Sequence, residues 1–302
     1  MNPSRWDLVR FALALALGVA GPGVVCAQDA AALLARHAGL SGQLAHSPFH
    51  RPLQLESGLN PADQQGDLFA VLAHPFPIVA AALADSAQWC DLLILHLNVK
   101  GCTVSGRGSD QILSMVIGRK FDQPLADGSR VDFKFDFAAT GRDYFKVRLT
   151  AATGPMGSRD YRLELEAVPL DAQRTFVHLF YSYRYGVFAR VAIQGYLATL
   201  GRDKVGFSIV GQDADGQPVY VDGMRGVIER NTMRYYLAIE AYLGALAAPP
   251  ADRLEKRLRD CYAAAEQYPR QLHELGVDEY LDMKRHEVQR QQESAQAGRP
   301  AR

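Results

Sequence analysis

The order of the segments predicts an α+β fold, in which an antiparallel sheet is covered by helices. A short apolar segment typical of a strand is followed by a broken helical stretch, and then several segments alternate between polar and apolar residues. A long segment with helical periodicity follows near the C-terminal end. Because the strands succeed one another instead of alternating with helices, the order argues against a parallel sheet of strand-helix-strand units.

The first residues are typical of a secretory signal peptide, which we expect to span residues 1–27. Arg5 and Arg10 precede an apolar run at positions 11–20, and a helix-breaking Gly-Pro-Gly sequence leads to Ala27. The apolar run is shorter than the roughly 20 residues that a membrane-spanning helix needs. We therefore expect cleavage after Ala27, a periplasmic or secreted protein, and no transmembrane segment in the mature chain.

The charge balance argues against a nucleic-acid-binding protein. The chain has 33 lysines and arginines against 33 aspartates and glutamates, whereas neutralising phosphates requires a clustered excess of positive charge. Hydrophobic residues make up 48% and charged residues 22% of the chain, which is typical of a globular protein with a hydrophobic core.

Three cysteines remain after signal removal: Cys90, Cys102 and Cys261. Because the count is odd, at least one thiol lacks a partner in its own chain. Cys90 and Cys102 are the natural disulfide partners, since a short segment that can turn from a helix into a strand joins them; the alternative is three buried reduced thiols. No CxxC pair is present, and we predict neither a metal nor a cofactor.

The first part of the mature chain predicts a helix, an irregular approach, a strand and a broken helix. Residues 29–40 have helical character, and residues 48–67 are rich in turn formers. Residues 66–73 are apolar and bounded by turn signals, which is typical of a strand. Residues 78–94 have helical periodicity with a break near Asp85-Ser86.

The middle of the chain predicts a meander of half-buried antiparallel strands. Polar and apolar residues alternate in segments 96–100, 131–137, 144–149 and 161–166, and segment 176–185 closes the meander. Such alternation places one apolar face on a core, and the Gly, Pro and Asp residues between the segments are suited to turns.

Helices and one hairpin follow the meander. Helical periodicity returns in residues 187–200, and residues 204–210 and 219–221 predict a hairpin around an Asp-Gly turn. Residues 226–246 carry the best amphipathic stripe in the chain, with apolar residues at steps of three and four.

The segment from His74 to Trp89, HPFPIVAAALADSAQW, resembles a recurrent piece of the START-like (SRPBCC, helix-grip) superfamily. In that superfamily a proline opens a helix that bears a valine, a leucine-x-aspartate step and then an aromatic residue. The resemblance covers about residues 66–200, and residues 204–246 depart from a minimal helix-grip domain. It implies a curved sheet around a long helix, with a cavity that holds an apolar small molecule or lipid. We also suspect a family of uncharacterised exported proteobacterial proteins.

This resemblance divides the chain into four parts. Residues 1–27 are the signal peptide, residues 28–65 a helix with a turn-rich lead, and residues 66–248 the helix-grip domain with an added hairpin. Residues 249–302 form a polar helical tail, whose end, residues 291–302, we expect to be disordered.

The candidate ligand-binding residues come from four places in the chain. His96, Asn98 and Lys100 share one face of a predicted strand and could bind an anionic or hydroxylated head group, or they face solvent. Tyr181 and Tyr183 suit a pocket wall or belong to ordinary sheet packing. A polar cluster opens the strongest helix, either as a structural network or as an anion site; its candidates are Arg225, Arg234 and Tyr235. Trp89 closes the segment that resembles the superfamily.

These observations predict an exported soluble binding protein or carrier for a hydrophobic small molecule or lipid. One alternative is an enzyme of the same fold that uses His96, Lys100 or Arg225 as acid, base or anion clamp. A second alternative is an envelope interaction protein that binds a partner through residues 251–292. Carriers and enzymes share the fold, so the fold alone does not choose between them.

Overall fold

Eight strands form one antiparallel sheet in a computed structural model that describes residues 22–58, 63–139, 142–186, 195 and 204–297. They are β1 Leu53–Ser57, β2 Asp63–Leu72, β3 Val99–Ser105, β4 Ile112–Ile117, β5 Ser129–Ala139, β6 Phe145–Thr153, β7 Ser158–Pro169 and β8 Thr175–Tyr185. Their order across the sheet is β1-β2-β8-β7-β6-β5-β4-β3, so the early strand β2 pairs with the last strand of the meander.

The helices precede, interrupt and follow the sheet. They are α1 Pro22–Ala45, α2 Phe76–Leu83, α3 Ser86–Leu93, α4 Gly223–Gly244, α5 Arg253–Glu266, α6 Pro269–Leu272 and α7 Val277–Ala297. A separate hairpin of β9 Ile209–Gln212 and β10 Pro218–Tyr220 precedes α4. No helix in the described part of the chain has both the length and the apolar character to cross a membrane.

Alternation of polar and apolar residues turns one face of the sheet inward. Phe135 of β5 lies opposite Leu149 of β6, which in turn lies opposite Leu163 of β7, and all three side chains are buried. Helix α4 packs against this inner face near β1, β2 and β8. Helix α4 is therefore the gripping helix, and the predicted α+β helix-grip architecture is confirmed.

Helix α1 covers part of the opposite, outer face of the sheet. Leu33, Leu40 and Leu44 of this helix form a second hydrophobic cluster with Phe69 and Phe176. The sheet thus has a helix on each side, which explains why β2 and β8 carry apolar residues on both faces.

The predicted break in the first helical stretch is confirmed at Asp85. Its carboxylate accepts a hydrogen bond from the backbone N–H of Ala87 at 2.9 Å and caps the N-terminus of α3. In α3, the Trp89 indole is fully buried and donates to the carbonyl of Leu83 at 2.9 Å, which ties α3 to the end of α2.

Of the two alternatives for the cysteines, the structure forms the disulfide, which joins Cys90 in the middle of α3 to Cys102 in β3, with 5.2 Å between their Cα atoms. Cys261 is a free thiol buried in the core. The disulfide closes the chain around the turn of residues 94–98, which lies between α3 and β3.

Several predicted boundaries need correction. The turn-rich lead contains β1, a five-residue edge strand in which Leu53 and Leu55 alternate with polar residues, a pattern too short to stand out among the turn formers. Strand β4 was not predicted because its near-continuous apolar run lacks alternation. The predicted disordered end is helical as far as Ala297, where the described part of the chain stops. The predicted helix at 187–200 lies outside the described residues except for position 195, as do residues 1–21 of the predicted signal peptide.

The C-terminal tail is helical, as predicted, but it is not peripheral. Leu258, Tyr280, Leu281 and Met283 belong to the main hydrophobic core, and Lys284 is fully buried. Helices α5 and α7 pack against each other, and α7 also contacts β3. One face of the tail is therefore part of the folded core.

Candidate functional site

A cavity of about 210 Å³ lies between the inner face of the sheet and α4. Strands β3, β4, β5, β7 and β8, the turn before β3, the turn before β7 and helix α4 all contribute to its wall. Its lining is mainly apolar and aromatic; the side chains are His96, Asn98, Val99, Met115, Ile117, Val131, Phe133, Pro155, Met156, Ser158, Tyr161, Tyr181, Tyr183, Asn231 and Tyr235.

Four tyrosines and Phe133 form the aromatic part of this wall. The rings of Tyr161 and Tyr183 stack with centroids 5.2 Å apart, and Tyr181 meets Tyr235 edge to face at 5.0 Å. The hydroxyls of Tyr181 and Tyr235 are hydrogen bonded to each other. Burial raises the pKa of Tyr181, Tyr183 and Tyr235 well above the usual phenol value, so all three are neutral.

His96 is the most unusual polar residue of the cavity wall. Its ring stacks on Tyr235 with centroids 4.7 Å apart, and its Nδ1 accepts a hydrogen bond from the backbone N–H of Asn98 at 3.2 Å. The side chain is buried, and its Nε2 has no hydrogen-bond partner among the described residues.

The protonation state of His96 follows from its surroundings. Burial, with the nearby positive charges of Arg234 and Lys284 adding to it, lowers the pKa of His96 well below its usual value, so the imidazole is neutral. Since Nδ1 is an acceptor, the single ring proton lies on Nε2. His96 therefore carries a buried N–H donor with no partner among the described residues.

The described residues give the cavity wall no charge. Among its lining residues in the described part of the chain there is no Asp, Glu, Lys or Arg. The site can therefore hold apolar surface and a few hydrogen bonds, but it offers no counter-ion to a buried charge.

Lys100, predicted on the same face as His96 and Asn98, points away from the cavity. The strand begins only at Val99, so His96 and Asn98 lie in the preceding turn and do not follow the two-residue alternation. The Lys100 ammonium is fully buried and donates to Glu287 at 2.9 Å and to the carbonyl of Leu97 at 3.0 Å. Of the predicted trio, His96 and Asn98 thus line the cavity, whereas Lys100 forms a buried ion pair.

The polar cluster at the start of α4 is a structural network. Glu229 is fully buried and accepts hydrogen bonds from the backbone N–H groups of Phe207 and Ser208, at 2.6 and 2.8 Å. Arg225 donates to Ser57 at 2.6 Å, and Ser57 itself donates to Glu229. Arg225 therefore does not reach the cavity, and the anion site proposed from the sequence is not formed there.

Arg234 and Trp89 also lie outside the wall of the main cavity. Arg234 donates to the carbonyl of Leu272 and to Glu274, each at 3.1 Å, and lines a smaller space of about 30 Å³ beside Cys261, on which His96 also borders. Trp89 belongs to the core between α2 and α3. Of the predicted ligand-binding residues, the cavity thus brings together His96, Asn98, Tyr181, Tyr183 and Tyr235.

His178 lies on the outer face of the sheet, between Val177 and Leu179, whose side chains are buried in the core. Its ring nitrogens contact Asp67 at 2.8 Å and Glu166 at 3.2 Å, and its ring stacks on Phe69. Burial disfavours the imidazolium, but hydrogen bonds with both carboxylates outweigh burial and raise the pKa of His178. His178 is a satisfied residue of a cross-strand network.

Sequence reasoning did not name several residues of the cavity wall. Phe133 and Tyr161 lie on predicted strands, and their alternation with polar neighbours was a usable signal. Met115 and Ile117 belong to β4, whose apolar run was not recognised as a strand. Asn231 lies in the polar cluster of α4, but only the packing of α4 on the sheet shows that it faces the cavity.

Comparisons with known proteins give structural likeness without sequence likeness. No family model matches the chain, and no curated protein matches it. Among solved structures, the ZhuI aromatase/cyclase from a Streptomyces species is 13% identical, with 69% of this chain and 95% of that one covered and a TM-score of 0.33. A START superfamily protein from Mycobacterium smegmatis is 11% identical, with 46% and 92% covered and a TM-score of 0.31.

A third solved structure is norcoclaurine synthase from the plant Thalictrum flavum, in complex with a transition-state analogue. It is 16% identical, with 49% of this chain and 93% of that one covered and a TM-score of 0.33. Likeness at this level carries no argument about function. The strand order and the position of α4 on the inner face of the sheet define a START-like helix-grip fold in this protein.

Proposed function

We propose that this protein binds a small apolar or amphipathic molecule in the cavity between the sheet and α4, without chemical conversion. The observation that carries the proposal is the largely apolar, aromatic cavity wall, in which the buried N–H of His96 has no partner among the described residues. A buried donor without a partner costs about 1–3 kcal/mol, and a bound molecule with an acceptor would remove that cost.

The size of the cavity also supports a small ligand. An engineered apolar cavity of about 150 Å³ binds benzene, so about 210 Å³ suits a molecule of one or two rings. Large apolar side chains with a few polar groups are typical of small-molecule sites. A long-chain lipid would need space beyond the described wall.

The alternative of an enzyme requires that the predicted acid, base and anion clamp line the same cavity, and they do not. Of the three groups predicted as acid, base or clamp, only His96 lines the cavity, whereas Lys100 and Arg225 are held by Glu287 and Ser57. The alternative of a partner-binding tail also weakens, because α5 and α7 bury core residues.

Native mass spectrometry of the full chain, purified from the cell that makes it and then exposed to a small-molecule extract, tests the proposal. We expect an added mass on the protein. Val131→Phe places a ring in the cavity and should abolish the added mass, whereas Val219→Phe, on the exposed hairpin, should retain it. The proposal would be contradicted if the protein showed no added mass either as purified or after exposure to the extract. It would also be contradicted if Val131→Phe kept the added mass.

We further propose that the protein is exported. The support comes from the order of basic, apolar and small residues at the N-terminus and from the disulfide, since disulfides persist in oxidising compartments. Fractionation of the producing cell tests this: we expect the chain, cleaved after Ala27, outside the cytoplasm. An uncleaved cytoplasmic chain would contradict it.

A further inference from the structure

We infer that the cavity selects an uncharged ligand and that His96 determines this specificity by donating its Nε2–H to a hydrogen-bond acceptor of the ligand. The inference deepens the proposed function and rests on it. It concerns which chemical group the cavity recognises, and it names the residue that recognises it.

The direction of the hydrogen bond follows from the two ring nitrogens. Nδ1 is occupied by the backbone N–H of Asn98, so it can only be the accepting nitrogen. The remaining nitrogen, Nε2, is a donor, and the side chain is 5% exposed. A group that satisfies it must be an acceptor, such as a carbonyl or ether oxygen.

The lack of charged side chains among the described residues of the wall indicates that the ligand is uncharged. No lining side chain in the described ranges is ionisable as a carboxylate, ammonium or guanidinium group. The nearest positive charges are already paired: Lys284 with Glu287, and Arg234 with Glu274. An anionic ligand would meet no counter-ion among these described side chains, and burying a charge without one costs far more than one hydrogen bond returns.

The tyrosines set the shape of the ligand. The stacked pair Tyr161 and Tyr183 and the edge-to-face pair Tyr181 and Tyr235 present flat surfaces to the cavity. Aromatic rings favour stacked or edge-to-face contacts with other rings. The matching ligand is a flat one- or two-ring molecule with one uncharged acceptor.

The test compares three probes with two fused rings. α-Tetralone carries a ketone, its exocyclic-methylene analogue has the same shape without the acceptor, and naphthoate carries a carboxylate on a fully aromatic ring pair. Dissociation constants come from ligand-detected NMR titrations of the full chain. We expect the ketone to bind about 3–10 times more tightly than the methylene analogue, and naphthoate at least about tenfold more weakly than the ketone.

His96→Asn keeps an acceptor near the Nδ1 position and leaves no donor at the Nε2 position, because its amide nitrogen lies one bond closer to the backbone. We expect this variant to bind the ketone and the methylene analogue equally, because a ratio of affinities cancels any general loss of packing. If His96→Asn does not fold, His96→Phe replaces it, because the phenyl ring can still stack on Tyr235. We expect His96→Phe also to bind the ketone and the methylene analogue equally. His286→Asn, at an exposed histidine of α7, should retain the wild-type ratio.

Equal affinities of the ketone and the methylene analogue for the wild-type protein would overturn the inference, as would an unchanged ratio in both His96 variants. Tighter binding of naphthoate than of the ketone would overturn the selection against charge. In each case the proposed function still stands if Val131→Phe abolishes binding. If none of the probes binds, the inference fails, and the native mass spectrum decides the proposed function separately.

Discussion

The ammonium of Lys284 on α7 donates a hydrogen bond to the backbone carbonyl of His96 at 2.7 Å. It also donates to the carbonyl of Val99 at 3.0 Å and to Glu287 at 2.7 Å. The last long helix of the chain therefore holds the turn that places His96 in the cavity wall. Burial lowers the pKa of Lys284 to about 8, against the attraction of Glu287.

Glu287 is the shared partner of two buried lysines, and we expect Glu287→Gln to destabilise the protein strongly. The substitution leaves Lys100 and Lys284 facing each other without a counter-ion, so the loss should be about 3–5 kcal/mol or more in urea unfolding. Lys284→Met leaves one lysine for one carboxylate and should cost less than Glu287→Gln.

Glu293→Gln, at an exposed position of the same helix, is the control and should change stability by less than about 0.5 kcal/mol. If Glu287→Gln proves milder than Lys284→Met, the charge balance of this cluster is not what stabilises it.

The disulfide between Cys90 and Cys102 should stabilise the protein by about 3 kcal/mol, because it closes a loop of about a dozen residues in the unfolded chain. We expect the double variant Cys90→Ala, Cys102→Ala to lose this amount in urea unfolding without reductant. Reductant should bring the wild-type protein to the same stability and leave the double variant unchanged. A reductant effect of equal size on the double variant would assign the change to another cause.

His178 should stabilise the protein only while it is protonated. Its pKa in the folded state is raised above the 6.5 of the unfolded chain, so its contribution is complete below about 6.5 and disappears as the pH rises through the raised value. We expect His178→Gln to lose about 2 kcal/mol at the acidic end of this window and less above it, because hydrogen bonds to charged groups contribute about 1.5–3 kcal/mol each.

Urea unfolding at a series of pH values measures this dependence, with His286→Gln as the control at an exposed histidine. A stability difference between the wild type and His178→Gln that stays constant with pH would show that the ion pairs with Asp67 and Glu166 do not contribute.

Gly66 on β2 lies where α4 approaches the sheet, and a methyl group there would collide with the side chain of Thr232. We expect Gly66→Ala to destabilise the protein by about 1–3 kcal/mol. Gly39→Ala is the matched control, because the added methyl meets nothing and replaces a glycine inside α1; it should stabilise by about 0.5–1 kcal/mol. Equal effects in thermal unfolding would mean that α4 can shift away from β2 at little cost.

The sequence by itself determined the fold class, most of the strands and the break between α2 and α3, and it offered the disulfide as one of two alternatives. These features depend on local patterns: alternation requires one buried face, a capping aspartate ends one helix and begins another, and two cysteines joined by a short loop can meet. In β5 to β8 the boundaries differ from the predicted ones by a few residues, but the same side chains face inward, whereas the later start of β3 separates Lys100 from His96 and Asn98.

Only the tertiary structure decided which polar side chains form the site. Lys100 and its partner Glu287 are 187 positions apart, and no local pattern predicts that α7 returns to β3. His96 and Asn98 line the cavity because they lie in a turn before β3, whereas the buried Arg234 pairs with Glu274. Charged side chains form ion pairs with residues that are distant in sequence, and the described residues that line the cavity are neutral.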